Sequence, residues 1–312
     1  RRRPDVRDAL TMRFILVDWG TTRFRAFVVD GETIVDRVSS DEGVSALREG
    51  QHREVFLKHC RDWLAREPQA PIALVGMVGS REGWRMAPYA PCPAGPEEIA
   101  GAMIEVEIEG GRKGHIIPGL VCEPDAGAVD VMRGEETLCL GAGMTDGLIC
   151  LPGTHPKWVE MKAGRIERFA TYFTGEMYAL LRHHSMVGRP ATEPEDPAGF
   201  DRGLDAAERN GGLSGRRVGL LHLIFGARAA AVTGRLPSEQ LGPYISGLLT
   251  GDEINGAFSL FAKPERVAAI GDEGRIALFS RALARHGVAV DSVPAETALI
   301  AGLARILAHH RI

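Results

Sequence analysis

Apolar and polar residues alternate in short runs near the start of this 312-residue chain. Three apolar-rich segments separated by Gly- or Asp-containing turns predict a meander of three β-strands at Arg13–Trp19, Arg23–Val29 and Thr33–Val38. Further along, apolar residues at helical spacing over Glu54–Arg66 predict a helix, and the all-apolar run Ile72–Val78 predicts a buried strand. A strand, a helix and a second buried strand indicate a right-handed crossover.

The turn after the first strand reads Asp18-Trp19-Gly20-Thr21-Thr22. Gly20 permits a tight turn, and the hydroxyls of Thr21 and Thr22 can join backbone N–H groups in an anion-binding concavity. Asp18 ends the strand, where a carboxylate suits a hydrated Mg²⁺ ion. The alternative is a plain hairpin whose aspartate caps its own turn.

The segment Cys150–Phe169 repeats this arrangement. When Gly153 is aligned with Gly20, a threonine follows in both segments, and the same offset matches Gly164 with Gly31 in the next turn. Two such turns, facing each other, could hold a polyphosphate between two domains. The pair resembles the phosphate 1 and phosphate 2 loops of the superfamily of actin, hexokinase and the Hsp70 ATPase.

The remaining pattern predicts an α/β protein of two similar halves with a central cleft. The resemblance to this superfamily implies a duplicated ribonuclease H-like fold of the actin/hexokinase type, with ATP and substrate in the interdomain cleft. We expect a disordered tail or misread start at residues 1–11, an N-terminal domain at 12–142 and a C-terminal domain at 143–312, whose last helix packs back at the domain junction. Val187–Gly215, rich in Pro, Gly and charge and with a short helical piece around Leu204–Arg209, is interpreted as a surface insertion or lid. The other predicted elements are strands at His115–Val121, Val267–Ile270 and Val288–Val293, and helices at Met132–Gly141, Thr174–Ser185, Ser238–Phe261, Arg275–His286 and from Pro294 onward.

Composition supports a globular protein of about two domains, with 45% hydrophobic and 25% charged residues. A net charge of −4 gives no basic surface for nucleic acid, and no apolar run approaches the roughly 18 residues of a membrane span. Five scattered cysteines without a CxxC pair are typical of reduced thiols in a cytoplasmic protein. The oligomeric state stays open, a homodimer included.

Two further segments carry candidate chemistry. The segment Met132–Thr137 places Glu135 and Glu136 at a helix start, where the dipole favours carboxylates. Superfamily kinases use a carboxylate near this helix as the base for the sugar hydroxyl, and we assign Glu135 to that role, with Asp130 as the competitor. The segment Gly76–Tyr89 offers donors and the aromatic edges of Trp84 and Tyr89 for a sugar pocket; its assigned contacts are Gly79, Ser80, Arg81 and Trp84. The alternative is a surface turn in which Trp84 is buried as packing.

Charge and loop position suggest the remaining contacts. Arg133, ahead of Arg81, is the candidate partner of a substrate carboxylate, because Arg binds carboxylates in bidentate fashion. In the second turn, Thr154 and His155 are candidates for phosphate contacts, and Lys157 is expected to point outward along its strand. We expect a Cβ at Gly153 to be blocked by a close approach. The turn with Gly271 and Gly274 ends a strand and opens a helix, where the superfamily binds adenosine.

Taken together, these motifs resemble the 2-dehydro-3-deoxygalactonokinase family from about Met12 to the C-terminus. VMRGEET and LPGTHPKWV together are specific to it, whereas DWGTT alone is not. The resemblance implies the superfamily kinase fold, Mg-ATP and transfer to the 6-hydroxyl of 2-dehydro-3-deoxy-D-galactonate, a sugar acid of galactonate breakdown. The two acids between Gly271 and Gly274 depart from the small residues expected there. The motifs that carry the resemblance are VDWGTT, GMVGSREGW with APY, IIPGL, VMRGEET, LPGTHPKWV, FTGE and SGLLTGDE.

Two other functions remain under consideration. One is a kinase for a different sugar or small carboxylic acid, which residue chemistry alone does not exclude. The other is an ATP-driven conformational protein of the actin or Hsp70 kind without a small acceptor. The chain length and the long Gly79–Pro96 loop, which suggests a pocket, argue against the second.

Overall fold

The computed structural model describes residues 13–125, 128–211 and 218–310, so the tail expected at residues 1–11 lies outside them. The chain forms two compact units. One runs to Gly147 and also includes Val159–Phe169 and the residues from Val293 onward, and the other consists of Leu148–Trp158 and Ala170–Ser292. The domain boundary expected after residue 142 stays a prediction.

The first sheet confirms the predicted meander and crossover. Its six strands lie in the order β3-β2-β1-β4-β7-β6, with β1 antiparallel to β2 and parallel to β4. Helix α1 (Gln51–Arg66) connects β3 to β4 and buries Phe56, Cys60 and Trp63 against the sheet. The strands are β1 (Arg13–Trp19), β2 (Phe24–Asp30), β3 (Thr33–Ser40), β4 (Ile72–Val75), β6 (Ile104–Glu107) and β7 (Lys113–Ile116).

A second sheet repeats the same order of strands. It reads β12-β11-β10-β13-β14, with β10 parallel to β13, which matches β3-β2-β1-β4-β7 strand for strand. Gly31 and Gly164, aligned from sequence, have φ of 65° and 73° in their respective hairpin turns, a conformation that glycine adopts without strain. The duplicated ribonuclease H-like fold is therefore confirmed. The strands are β10 (Gly147–Leu151), β11 (Lys157–Lys162), β12 (Arg165–Thr171), β13 (Arg266–Ile270) and β14 (Ala289–Val293).

A third, small sheet corrects the strand expected at His115–Val121. Pro118 has no N–H to continue a ladder, and the chain leaves β7 at Ile116 to join a different sheet. This sheet consists of β5 (Tyr89–Pro91), β8 (Gly119–Asp125) and β9 (Ala128–Met132). Strand β5 lies inside the Gly79–Pro96 segment, for which the sequence predicted no element.

The strand expected at Ile72–Val78 ends early. Gly76 has φ of 92°, which takes the chain out of the strand, and a short 3-10 turn follows at Met77–Gly79. The expected helix at Met132–Gly141 is likewise shorter, because Met132 ends β9 and helix α3 occupies Glu135–Gly141.

The short helical piece predicted around Leu204–Arg209 is confirmed in a longer form, whereas the surface insertion or lid expected at Val187–Gly215 stays a prediction. A 14-residue helix, α5 (Ala198–Gly211), lies there and buries Phe200, Leu204 and Ala207. It packs backbone to backbone on helix α7 (Ser238–Leu260), since a Cβ at Gly247 would lie 2.0 Å from the Phe200 carbonyl oxygen. The glycines that look like loop residues in sequence are thus packing positions.

The remaining helices are α2 (Pro96–Gly101), α4 (Thr174–His184), α6 (Leu220–Val232), α8 (Glu273–Ala284) and α9 (Ala295–His309). Of these, α4, α8 and α9 match the predicted pattern to within a few residues, whereas α2 and α6 were not predicted. Helix α9 packs tightly on α3, since a Cβ at Gly302 would lie 1.8 Å from the Thr137 carbonyl oxygen. Among the described helices, none has the length and apolar character to cross a membrane.

Candidate active site

The turn after β1 is held by backbone contacts that leave its hydroxyls free to face solvent. Gly20 N–H donates to the Arg23 carbonyl at 2.9 Å, and the carbonyls of Gly20 and Thr21 accept from Val44 and Ser45. Gly43 presses against the turn so closely that a Cβ there would lie 2.3 Å from the Thr22 carbonyl carbon. The side chains of Thr21 and Thr22 are exposed, as a phosphate-binding turn requires.

Asp18 lies at the base of this turn with its side chain 18% exposed. It forms an ion pair with Arg25, its cross-strand neighbour on β2. Burial raises the pKa of the Asp18 carboxyl, and the Arg25 charge opposes that shift. The carboxylate is therefore partly desolvated and matched to a positive charge.

Two glycines bring the β4 turn and the start of α3 towards Asp18. A Cβ at Gly76 would lie 3.7 Å from Asp18 Oδ1 and 3.1 Å from the Trp19 carbonyl oxygen. Gly134, with φ of 104°, approaches Gly76 just as closely, with 3.3 Å from its ideal Cβ to the Gly76 Cα. Three motifs that are far apart in sequence thus meet in one place.

The adjacent acids of α3 differ in environment, as the helical period predicted. Glu135 is half-buried and accepts from Arg133 N–H at 3.0 Å. Glu136 is fully buried and accepts from Gly134 N–H at 2.7 Å and from the Thr137 hydroxyl at 3.1 Å. Burial, then the charge of Glu135, raise the pKa of Glu136 to about 8. Glu136 is therefore mainly a neutral acid at pH 7, and Glu135 is the more accessible of the two.

Arg133 is held by the segment that follows β4. Its guanidinium lies over the Tyr89 ring and donates to the Ala87 carbonyl at 2.9 Å. Its Nε and one terminal nitrogen are buried without a hydrogen-bond partner. Gly79 leaves room for it, since a Cβ there would lie 2.9 Å from that nitrogen. Buried unsatisfied donors of a charged group are costly, so they indicate a group that binds here.

The other residues of this segment that were predicted to contact the sugar differ in how far they are exposed. Ser80 is buried, with its hydroxyl 3.5 Å from Glu82, and Arg81 is exposed. Trp84 is half-buried and packs edge-on near Trp19 and against Phe56 in the core of the first unit. Trp84 therefore has a packing role whatever else it contacts.

The second turn lies against the N-terminus of α4. Glu176 N–H donates to the Thr154 carbonyl at 3.0 Å, and His155 pairs with the Glu176 carboxylate. The close approach is at Gly175, where a Cβ would lie 2.4 Å from the Gly153 carbonyl oxygen. At Gly153 itself the nearest protein atom would be 3.9 Å away. The expectation of a blocked Cβ at Gly153 is therefore wrong as far as the protein's own atoms are concerned.

Lys157 corrects a second expectation for this segment. It is 6% exposed, and its ammonium donates to the His155 carbonyl at 3.0 Å. The side chain turns back under the turn because the carbonyl there needs a donor, so it does not project outward. Its positive charge therefore lies at the His155 carbonyl of the second turn.

A pocket of about 220 Å³ opens beside this turn. Its walls come from the turn and from α4, α7 and α8, and they combine apolar surface with a few polar groups. Arg275 of α8 stands at its edge, near Gly153. The lining residues are Gly153, Pro156, Thr174, Gly175, Tyr178, Ser246, Leu249, Thr250, Arg275, Leu278 and Phe279.

The strand-to-helix turn at Gly271–Gly274 lies next to these elements. Gly271 approaches Pro152, and Asp272 caps α8 by accepting from Arg275 N–H at 3.1 Å. Gly271 and Gly274 do not line the pocket, whereas Arg275 does. Sequence reasoning missed Tyr178 and Arg275; the available signal was their position just after the FTGE and GDEG motifs.

Glu253 is a second buried acid, on α7. It is 2% exposed, accepts from Trp158 Nε1 at 2.8 Å and is hydrogen-bonded to Thr174, a residue of the pocket. Its other carboxylate oxygen is buried without a partner. Burial raises the pKa of Glu253 to about 7.

The oxygen atoms near the first turn suit a metal ion that is bound mainly by water and by substrate phosphates. Among the described residues, no group of three His, Cys, Asp or Glu side chains could hold a metal ion. Asp18 with the exposed hydroxyls of Thr21 and Thr22 supplies oxygen ligands for a hydrated ion. Mg²⁺ typically binds in this way, through one or two carboxylates, several waters and substrate phosphates.

Comparison with known proteins agrees with this chemistry. A family model described as 2-keto-3-deoxy-galactonokinase matches residues 18–306. The chain is 34% identical to 2-dehydro-3-deoxygalactonokinase of Escherichia coli, over 96% of this chain and 99% of that protein. It is 32% identical to a probable 2-dehydro-3-deoxygalactonokinase of Rhizobium meliloti, over 93% and 95%. A crystal structure titled as a putative protein of this name from Sinorhizobium meliloti superposes with a TM-score of 0.80 at 32% identity, covering 93% of this chain and 96% of that one.

Proposed function

The chain belongs to the 2-keto-3-deoxy-galactonokinase family, and from this we propose that it transfers the γ-phosphoryl group of ATP to the 6-hydroxyl of 2-dehydro-3-deoxy-D-galactonate. The sequence-derived domains, 12–142 for the sugar acid and phosphate 1 turn and 143–312 for the nucleotide, are part of this proposal. The observation that carries it is the meeting of Asp18, the Gly76 turn and the start of α3 at one place.

The nucleotide is assigned to two turns and one pocket. Gly20, Thr21 and Thr22 bind phosphate oxygens from the first turn. Gly153, Thr154 and His155 do so from the second, aided by the N-terminus of α4, where the helix dipole favours anions. The adenosine lies in the pocket bordered by Tyr178, Arg275 and Phe279, with the backbone at Gly271 and Gly274 beside it.

Asp18 is assigned to the metal. Mg²⁺, when bound, neutralises charge on the phosphate oxygens. Asp18 would hold the ion through water, and the half-exposed Arg25 would release the carboxylate as the cation arrives. The raised pKa of Asp18 in the free protein follows from burial, which a bound cation would offset.

The sugar acid is assigned to the Gly79–Trp84 segment and Arg133. The unpartnered donors of Arg133 supply the pairing for the substrate carboxylate. Because those atoms are enclosed, the Gly79–Tyr89 segment must shift to admit the carboxylate. Ser80, Arg81 and Trp84 offer hydrogen bonds and an aromatic edge to the sugar chain, and the Gly79 backbone gives close approach.

Glu135 is assigned as the general base. It is half-buried at the start of α3, next to Gly134, which approaches Gly76 beside Asp18. It would accept the proton of the 6-hydroxyl as that oxygen attacks the γ-phosphorus. Phosphoryl transfer depends mostly on positioning and charge neutralisation, so the turns contribute at least as much as the base.

A panel of acceptors tests this function. Purified protein with Mg-ATP should form ADP rapidly with 2-dehydro-3-deoxy-D-galactonate, slowly with its C4 epimer and with neutral sugars, and hardly at all without an acceptor. Preference for another acid would support the alternative of a different sugar-acid kinase. ATP turnover that is independent of every acceptor would instead indicate a conformational ATPase and contradict the proposal.

A further inference from the structure

Cys92 and Cys122 lie side by side on the small third sheet. Strands β5 and β8 are parallel, with Pro91 paired to Val121, so the next residues on the two strands are these two cysteines. Cys92 N–H donates to the Val121 carbonyl at 2.9 Å, which extends the ladder to this position. Neighbouring strands are about 4.8 Å apart, within the Cα separation that a disulfide spans.

The two sulfur atoms already contact each other. The Cys92 and Cys122 thiols are hydrogen-bonded, and the Cys122 sulfur also faces the carbonyl and the N–H of Phe169 at 3.2 and 3.5 Å. The hydrogen bond from Cys92, and a weaker one from the Phe169 N–H, lower the pKa of the Cys122 thiol, while the pKa of Cys92 is raised. Because its sulfur accepts from the Phe169 N–H, Cys122 is assigned as the thiol that reacts first, with Cys92 as its partner.

The pair borders an open pocket that small reagents can enter. This pocket, about 450 Å³, is lined by both cysteines and by charged side chains of both signs, which are Glu123, Glu160, Glu167, Lys162 and Arg168. Cys92 is partly exposed, and 9% of the Cys122 surface is accessible to solvent. Cys60, Cys139 and Cys150 are fully buried, and burial raises the pKa of each. One thiol pair among five cysteines is thus both adjacent and reachable.

We propose that Cys92 and Cys122 form a redox-active dithiol, which a peroxide converts to an intramolecular disulfide. The Cys122 thiolate attacks one peroxide oxygen, the O–O bond breaks, and a sulfenic acid and one water form. The Cys92 sulfur then displaces the second water to give the S–S bond. Two thiols and one hydrogen peroxide yield one disulfide and two waters; the sulfurs lose two electrons and the peroxide gains them.

The site lies close to the segment assigned to the sugar acid, although the proposal does not depend on that assignment. Cys92 follows Tyr89, the ring under Arg133, by three residues. The disulfide would tie the end of β5 covalently to β8. In a reducing compartment such a bond is transient and is restored to thiols by a dithiol reductant.

Peptide mapping of the full-length protein tests the proposal. The folded protein is treated with hydrogen peroxide, its free thiols are blocked with an alkylating agent, and it is digested without reductant. We expect a cross-linked peptide pair containing Cys92 and Cys122, lighter by two hydrogen atoms than the two free peptides and separated by dithiothreitol. The proposal would be overturned if Cys92 and Cys122 were both recovered in the alkylated form after a peroxide dose that oxidises exposed methionines.

Serine variants provide the matched controls. Cys92→Ser should leave Cys122 as a sulfenic acid that is trapped by dimedone, and Cys122→Ser should leave Cys92 largely unoxidised. Cys60→Ser should still form the cross-link in wild-type yield. Equal oxidation of Cys92 in the presence and absence of Cys122 would show two independent thiols and contradict the pair. Circular dichroism of each variant verifies that it is folded.

Discussion

The Arg133 guanidinium lies over the ring of Tyr89, with its central carbon 4.4 Å from the ring centroid. A stacked guanidinium keeps its in-plane donors available for a planar carboxylate. Two of those nitrogens have no partner in the protein. The stack therefore positions a cation whose hydrogen bonds are still to be made.

The first prediction concerns this cation. Arg133→Ala should raise the Michaelis constant for the sugar acid far more than that for ATP, because removing one side of a desolvated charge pair costs roughly 2–5 kcal/mol. Arg81→Ala removes an exposed side chain of the same segment. It should change the apparent free energy of binding of the acid by no more than about 1 kcal/mol. Steady-state kinetics with the acid and its neutral aldose analogue provide the measurement. If Arg133→Ala keeps the wild-type preference for the acid, Arg133 is not the carboxylate partner.

The second prediction separates a metal role of Asp18 from its ion pair. Asp18→Asn should reduce turnover by orders of magnitude at saturating Mg-ATP with little loss of melting temperature, since the shape is retained. Arg25→Gln removes the ion-pair partner but leaves the carboxylate, so it should retain most of the activity. Titration of turnover against Mg²⁺ for both variants provides the measurement. Equal losses in the two variants would show that Asp18 acts through Arg25 and not through a metal.

The third prediction compares the adjacent acids of α3. Glu135→Gln should lower turnover by at least about 10²-fold with little change in substrate affinity, as for a base that acts in the transition state. Glu136→Gln should have a much smaller effect, because Glu136 is buried and a pKa of about 8 keeps it mostly neutral at pH 7.

Rapid-quench and steady-state assays of the two variants, together with Asp130→Asn, decide among the acids. The reverse order for Glu135 and Glu136 would assign the base to the buried acid. If Glu135→Gln and Glu136→Gln both have small effects and Asp130→Asn has a large one, the base is Asp130. The side chain of Asp130 accepts from the Val131 N–H at the end of β9.

The sequence predicted the parts of the fold that depend on local pattern. The meander, the crossover helix and the repeated turns with Gly31 and Gly164 follow from the spacing of apolar residues and from glycine's conformational freedom. The alignment of Gly20 with Gly153 in the sequence correctly predicted the second meander, β10-β11-β12. These features need no knowledge of distant contacts.

The errors have local and distant causes. The strand period points Lys157 outward, yet its ammonium donates to the His155 carbonyl two residues earlier. The glycines of α5 suggested a loop, but Gly199 and Gly203 permit this helix to pack on the backbone of α7, which the sequence did predict as a helix. Tyr89 carried no signal for its stack on Arg133, because the two residues meet through the third sheet, which the sequence did not predict.

The last prediction concerns pH and Glu253. Its pKa is raised to about 7 in the folded protein from an ordinary value of 4.5, with burial as the main cause. The folded state therefore holds a proton that the unfolded state has already lost between pH 4.5 and 7. The contribution of this group to stability is complete below pH 4.5, falls by about 1.4 kcal/mol per pH unit across that window and is lost above pH 7.

Glu253→Gln should remove this slope, because its amide stays neutral and its oxygen can accept from Trp158 Nε1 as the carboxyl does. The free energy of unfolding of the variant, relative to wild type, should rise by as much as about 3 kcal/mol from pH 4.5 to pH 8. Urea denaturation at several pH values measures this difference, and Glu32→Gln, at an exposed turn, should show none. Because Glu136 has a shift of the same sign, it contributes equally to both proteins and cancels. A difference that does not vary with pH would mean that Glu253 is ionised in the folded protein, so that the hydrogen bonds from Trp158 and Thr174 outweigh its burial.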